Sequence, residues 1–312
     1  MIIFYFTTLI ISSIFYLIIQ KYFIKKGIYD KVKDRSSHNV RATRSGGASI
    51  FTSLFIITIY LYITSNQIFD FSLIIPLGIL FTVGLYDDIY QVDFKLKFIF
   101  QLIVAKILID QGLLIDNFNG FLGIYEIPYL ISQLFTIIVI VFIINATNFT
   151  DGVDGLATTE TIKCLIIVLA FSTWSLFENY SNLFVLILIS LLPLYFYNFK
   201  KNDKVFLGDS GSLILGGVVC VAIISLTNIS GNDLKSLVST PLLILLCFPY
   251  PIVDSTYVII KRIINKKSPF IADKSHIHHL ILKKGYSHSK CLLIISGITG
   301  LIQLLTLLYI TS

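Results

Sequence analysis

Ten runs of apolar residues, each close to the length that crosses a bilayer, fill this chain almost from end to end. They fall roughly at 1–20, 46–63, 71–86, 95–111, 129–147, 161–176, 182–198, 211–228, 239–260 and 291–311. A helix needs about 20 apolar residues to span hydrocarbon, where it must satisfy its own backbone. The spacing predicts an all-α polytopic membrane protein with about ten transmembrane helices. Of 312 residues, 55% are hydrophobic and 13% charged, against about 25% charged in a soluble domain. That excludes a soluble globular enzyme, a disordered chain and a typical nucleic-acid binder. The connecting loops leave no room for a separate soluble domain, so residues 1–312 read as one transmembrane domain. No basic stretch precedes the first run and no small-residue cleavage site follows it, so a retained helix is expected rather than a signal peptide. Pro241, Pro249 and Pro251 predict a kink or break in the ninth run. The four cysteines lie in or beside apolar runs and read as small buried hydrophobes.

Charge sets the orientation. Of the 24 Lys and Arg, 22 lie in the loops after the first, third, fifth, seventh and ninth runs. The positive-inside rule puts those loops in the cytoplasm, against anionic lipid, and both termini outside. The polar residues with chemical potential cluster in the same loops, which predicts a cytoplasmic active site. A channel or alternating-access carrier more often places polar groups near the midplane.

The first such loop ends in Arg41-Ala42-Thr43-Arg44-Ser45-Gly46-Gly47 at a helix start, where amides and cations suit a phosphate. A basic, lipid-facing loop is the alternative. Asp87-Asp88 closes the third run, with Lys97 and Gln101 following. Adjacent carboxylates repel unless a proton or divalent cation neutralises them, as at a metal or general-base site; a solvated helix end is the plainer reading. The fifth loop is the sharpest signal. Asn145 and Asn148 share a helix face, and Asp151 and Asp154 follow at the same spacing between glycines. Amide and carboxylate oxygens suit Mg²⁺, which keeps substrate phosphates in its shell. Asp209 stands between glycines at the next helix start and could equally be an N-cap. His276, His278 and His279 lie beside Lys274; they suit a diphosphate better than Zn²⁺ in a chain whose other motifs are carboxylates. Asp254 lies inside the ninth run, where a carboxylate needs a partner or a cavity.

Together these motifs resemble the polyprenyl-phosphate N-acetylhexosamine-1-phosphate transferases, glycosyltransferase family 4, over roughly residues 35 to 285. The matching stretches are Asp87-Asp88, Asn145-x-x-Asn148-x-x-Asp151-Gly-x-Asp154-Gly-Leu, Phe206-Leu-Gly-Asp209-Ser-Gly-Ser and Asp273-Lys-Ser-His276-Ile-His278-His279. The last is similar to the undecaprenyl-phosphate N-acetylglucosaminyl-1-phosphate transferase branch. The muramoyl-pentapeptide branch has three consecutive histidines, which this chain lacks. Members of the first branch often read His-x-x-Pro-Thr-Pro-Arg-x-Gly-Gly in the first loop. Here His38, Arg44, Gly46 and Gly47 match, but Arg41, Ala42 and Thr43 replace Pro-Thr-Pro. A less rigid loop is expected, and no role carries over to Arg41.

The resemblance implies that undecaprenyl phosphate attacks the β-phosphate of a UDP-N-acetylhexosamine and releases UMP, beginning a lipid-linked envelope glycan such as O-antigen. It implies Mg²⁺, with Mn²⁺ a possible substitute, held by Asn148 and Asp209. Asp87 would be the base, supported by Asp88. His276, His278, His279 and Lys97 would hold the diphosphate or sugar, with Arg44 on a phosphate. Asp151 and Asp154, with Asn145 nearby, would shape the nucleotide pocket. Direct transfer and an aspartyl intermediate both fit these groups. The expected location is the bacterial inner membrane, and dimers occur in the family. The alternatives are the muramoyl-pentapeptide transferase reaction and, from another class, a membrane transporter.

Overall fold

A computed structural model describes residues 2–30, 42–172, 178–200, 203–228, 238–268 and 275–311. His38 and Arg41 of the first loop, and Asp273 and Lys274 of the last motif, lie outside the described residues. Among the described residues the chain forms twelve α-helices: α1 (Ile2–Lys25), α2 (Gly46–Ile63), α3 (Ile74–Tyr90), α4 (Phe94–Asp110), α5 (Tyr129–Thr150), α6 (Leu156–Ser172), α7 (Glu178–Asn198), α8 (Gly208–Thr227), α9 (Thr240–Cys247), α10 (Pro249–Ile264), α11 (Ile277–Lys283) and α12 (His288–Thr311). Each of the ten apolar runs is mainly helical over its described residues. Seven of these helices are long and apolar enough to cross a membrane, and the α9–α10 pair makes an eighth if counted as one span. The helices α4 and α6 have 17 residues each. The chain is a helical, multi-pass membrane protein.

The ninth run is broken as its prolines require. The helices α9 and α10 meet at 102°, with Phe248 between them in a non-helical conformation and Pro249 at the first position of α10. A proline donates no backbone hydrogen bond, so the helix cannot continue through it.

One helix organises the rest. The window that makes α8 a candidate span is wholly buried, against 22% for α12. Its main neighbours are α2, α3, α5 and α6. Small residues let backbones approach closely, which is how helices associate in lipid. Gly84 of α3 shows the constraint: a Cβ there would lie 2.5 Å from the Ser210 Cα. The entry to α8 is fixed from the start of α2. Gly46 and Gly47 donate to the carbonyls of Phe206 and Leu207 at 3.0 and 2.8 Å, beside a two-residue parallel ladder of β1 (Ala42–Thr43) with β4 (Lys204–Val205).

Two features go beyond the sequence reading. Residues 112–128, expected as an ordinary loop, contain an antiparallel hairpin, β2 (Asn117–Phe121) with β3 (Ile124–Glu126). Its turn uses positive φ at Asn119, Gly120, Leu122 and Gly123, a local device that hydropathy does not register. The other is α6, which begins at Leu156 rather than near 161, because the polar motif turns within five residues.

Candidate active site

The polar motifs converge at one end of the bundle. The C-terminal ends of α3 and α5 meet the N-terminal ends of α2, α4 and α8 there. A cavity of about 260 Å³ lies among them, lined by Arg44, Asn148, Asp151, Asp154, Asp209 and His279, together with Asp30.

The paired aspartates face different ways. The Asp88 side chain is fully buried and serves α8: it accepts the backbone N–H of Asp209 at 2.8 Å, that of Ser210 at 3.0 Å and the Ser210 hydroxyl at 2.7 Å. A helix start leaves such amides without partners, and a carboxylate suits its positive end. Asp87 turns towards α4. Its Oδ1 accepts Val92 N–H at 2.6 Å, which closes the α3–α4 turn, and its Oδ2 lies 2.9 Å from the Lys97 ammonium. Lys97 also pairs with Asp209. One cation from the first turn of α4 therefore gathers carboxylates from α3 and α8.

Asn148, near the end of α5, donates to the Ser212 hydroxyl at 2.8 Å, and its side-chain oxygen remains an acceptor beside the cavity. Burial, reinforced by Asp209 and opposed by Arg44, pushes the Asp151 carboxyl well above its ordinary range. Asn148, Asp151 and Asp209 line the same cavity. This crowding of hard oxygen donors fits a divalent cation.

Arg44 is held by Asp30 Oδ1 at 2.7 Å and lies 3.6 Å from Asp88. Burial lowers its pKa, but Asp88 and Asp30 outweigh this and raise it. Asp154 also has partners from outside its motif: Lys204 at 2.6 Å and His288, whose Nδ1 accepts the Asp154 backbone N–H at 3.3 Å. Burial raises its pKa, but His288 and Lys204 prevail and hold it below the ordinary value.

The histidines cluster, with ring centroids 4.4 to 6.2 Å apart. His279 lines the cavity. His278 is fully buried; its Nδ1 shares a hydrogen bond of 2.9 Å with the Tyr250 hydroxyl. Its Nε2 packs on Gly152, where a Cβ would come within 2.5 Å. His276 pairs with Asp254 at 2.6 Å. Asn145 lies apart from the polar cavity. Its amide exchanges hydrogen bonds with Gln101 of α4 at 2.6 and 3.3 Å, tying α5 to the helix that carries Lys97.

Asn145 instead borders a second cavity of about 270 Å³, lined by Phe98, Leu102, Ile138, Phe142, Phe149 and Ile259 among others. This apolar groove runs between α4, α5 and α10. The end of α5 walls both chambers: Asn145 and Phe149 on the groove, Asn148 and Asp151 on the polar cavity.

The family model of glycosyl transferase family 4 matches residues 69–227, which carry the paired aspartates, the Asn/Asp motif and Asp209. The chain belongs to glycosyl transferase family 4. Among its family 4 relatives is a Bacillus subtilis (strain 168) protein named "Probable undecaprenyl-phosphate N-acetylglucosaminyl 1-phosphate transferase", 31% identical over 93% of this chain and 78% of that protein. An undecaprenyl-phosphate alpha-N-acetylglucosaminyl 1-phosphate transferase of Pasteurella multocida (strain Pm70) is 32% identical, over 87% and 76%. A decaprenyl-phosphate N-acetylglucosaminephosphotransferase of Mycobacterium tuberculosis (strain CDC 1551 / Oshkosh) is 27% identical, over 86% and 72%.

Sequence reasoning did not find Asp30, Tyr250, Lys204 or His288 in this family 4 site. No spacing rule joins Asp30 to Arg44, or His288 to Asp154. Only Lys204 carried a signal, as one of the basic residues of the loop before Asp209.

Proposed function

We propose that the protein transfers N-acetylhexosamine-1-phosphate from a UDP-sugar to undecaprenyl phosphate and releases UMP. The observation that carries this reading is the shared wall at the end of α5. An apolar groove and an acid-lined polar cavity meet there, as a reaction between a membrane lipid and a charged water-soluble donor requires. The printed names of the relatives support the same chemistry.

The lipid phosphate attacks the donor's β-phosphate. A new phosphoanhydride bond forms, the bond between the α- and β-phosphates breaks, and UMP leaves. Two anions must approach, so the site has to remove negative charge. Asp87 accepts a proton from the lipid phosphate, with Lys97 holding its carboxylate in place. Asp88 sets the first turn of α8 and so aims Asp209. Asn148 and Asp209 would hold Mg²⁺, which would supply positive charge against the approaching phosphates. Arg44 and His279 bind phosphate or sugar oxygens, and Asp151 and Asp154 shape the nucleotide end. We place this site on the cytoplasmic face of a bacterial inner membrane, in a chain of ten spans with both termini outside, on the strength of the Lys/Arg distribution. The product would begin a lipid-linked envelope glycan such as O-antigen, and a homodimer is the proposed assembly.

The test is UMP release by detergent-purified protein with undecaprenyl phosphate and Mg²⁺, across a panel of UDP-N-acetylhexosamines. Release that needs the lipid, stops with EDTA and returns with Mg²⁺ or Mn²⁺ but not Zn²⁺ alone is expected. Folded protein that releases no UMP with any donor would overturn the reading.

A further inference from the structure

Asp254 takes no part in the reaction as described above. It sits in the second turn of α10 and is fully buried. A carboxylate so placed is costly unless it is paired and hydrogen-bonded. Both its oxygens are used. Oδ2 lies 2.6 Å from His276 Nδ1, and Oδ1 accepts the Ile277 backbone N–H at 2.7 Å. One carboxylate therefore fixes a ring and the first residue of α11 together.

The nearby His278 raises a rival reading. Ligand atoms of Asp254, His276 and His278 lie within 4.8 Å of one another, a spacing that a metal ion also uses. The hydrogen bonds favour a dyad instead. The two Asp254 oxygens and His278 Nδ1 are all engaged, and His278 Nε2 abuts Gly152.

The position of His276 gives the dyad a task. Its ring centroid is 5.6 Å from that of Phe149, on the apolar groove, and 6.2 Å from that of His279, on the polar cavity. The ring stands where the two chambers adjoin. We propose that Asp254 is a positioning residue acting through His276: it accepts a hydrogen bond from Nδ1–H and so aims Nε2 at the substrate phosphates, where Nε2–H donates to a phosphate oxygen when the ring carries both protons. The proposal rests on the transferase reading and assigns it a further residue. The two donors bond to different oxygens, so in an asparagine one of Nδ1–H and the Ile277 amide would face an NH₂ donor instead.

The test has two arms. In the first, D254N, H276N and the double variant are compared for kcat of UMP release and for melting. D254N alone should lower kcat about 10- to 100-fold, the range for a group that orients another functional side chain. Added to H276N it should cost less than twofold more. D254E should recover part of the loss. If D254N costs the same factor in both backgrounds, Asp254 does not act through His276 and the proposal is overturned. The second arm needs no activity. In ¹⁵N-histidine-labelled protein, the signal missing from H276N belongs to His276. It should report a protonated Nδ1 in the parent protein and a move towards the Nε2–H tautomer in D254N. A parent ring protonated only at Nε2 overturns the proposal, even where D254N fails to fold. Absence of UMP release from the parent protein would sink the transferase reading instead, and leave the spectra to decide the dyad.

Discussion

Two chambers of nearly equal size, about 260 and 270 Å³, share the end of α5 and have opposite linings. One is walled by Asp151, Asp154, Asp209 and Arg44, the other by Phe98, Phe142, Phe149 and Ile259. Their volumes say nothing about their tasks; the side chains do. A buried carboxylate invites a cation or a proton, whereas an apolar groove between helices rewards a hydrocarbon chain at about 25 cal/mol per Å². The difference comes from one helical turn, because consecutive positions near the end of α5 point to different sides. Asn145 and Phe149 fall on one side, Asn148 and Asp151 on the other.

The largest expected effect would break this comparison on the polar side. D209A should lower turnover at least a thousandfold in saturating Mg²⁺ while lipid binding survives, measured by UMP release and by retention of labelled undecaprenyl phosphate. Near-normal turnover would remove the polar cavity from the chemistry. The next contrast lies within the aspartate pair. D87N should cut turnover about a hundredfold and shift melting little. D88A should cost roughly 3 kcal/mol or more of stability, because it strands two backbone amides and the Ser210 hydroxyl. Thermal melts with activity assays separate the two. If both variants behave alike, the division between Asp87 and Asp88 is wrong.

The groove is the subject of the third prediction. I138W should raise the KM for undecaprenyl phosphate about tenfold, by filling space on the apolar side. The KM for the UDP-sugar should stay within twofold. A matching rise in both would mean that the chambers do not divide the substrates.

The smallest effect concerns pH. Burial, reinforced by His279 and His276, holds His278 well below its ordinary value of 6.5. The unfolded chain takes up this proton near pH 6.5, and the folded chain only far lower. Stability is therefore complete above 6.5 and falls as pH drops beneath it, by about 1 kcal/mol per unit. Melts at pH 7.5, 6.5 and 5.5 should show that fall, and H278N should flatten it.

The sequence made some of this legible for a physical reason. Hydropathy and helix spacing are local, so the helical runs, the break at Pro249 and the Asn148–Asp151 turn could be read directly. The division between Asp87 and Asp88 could not, because it depends on where Asp209, 121 residues from Asp88, stands in space. The same holds for Lys204 with Asp154 and for Asp254 with His276. Asn145 looked like part of the polar motif, yet one turn before Asn148 its amide belongs to Gln101. Pairings across the bundle are a property of packing, which no interval along the chain encodes.

The buried central helix carries a consequence for biosynthesis. The helices that enclose α8 most closely, α2, α3, α5 and α6, are all made before it. Until the ribosome delivers residues 208–227, the faces of those helices that pack on α8 lack their partner. Among these five helices it is thus the core, not the shell, that arrives last. A nascent chain halted before residue 208 would hold nearly every acidic residue of the site and still lack the helix that aligns them.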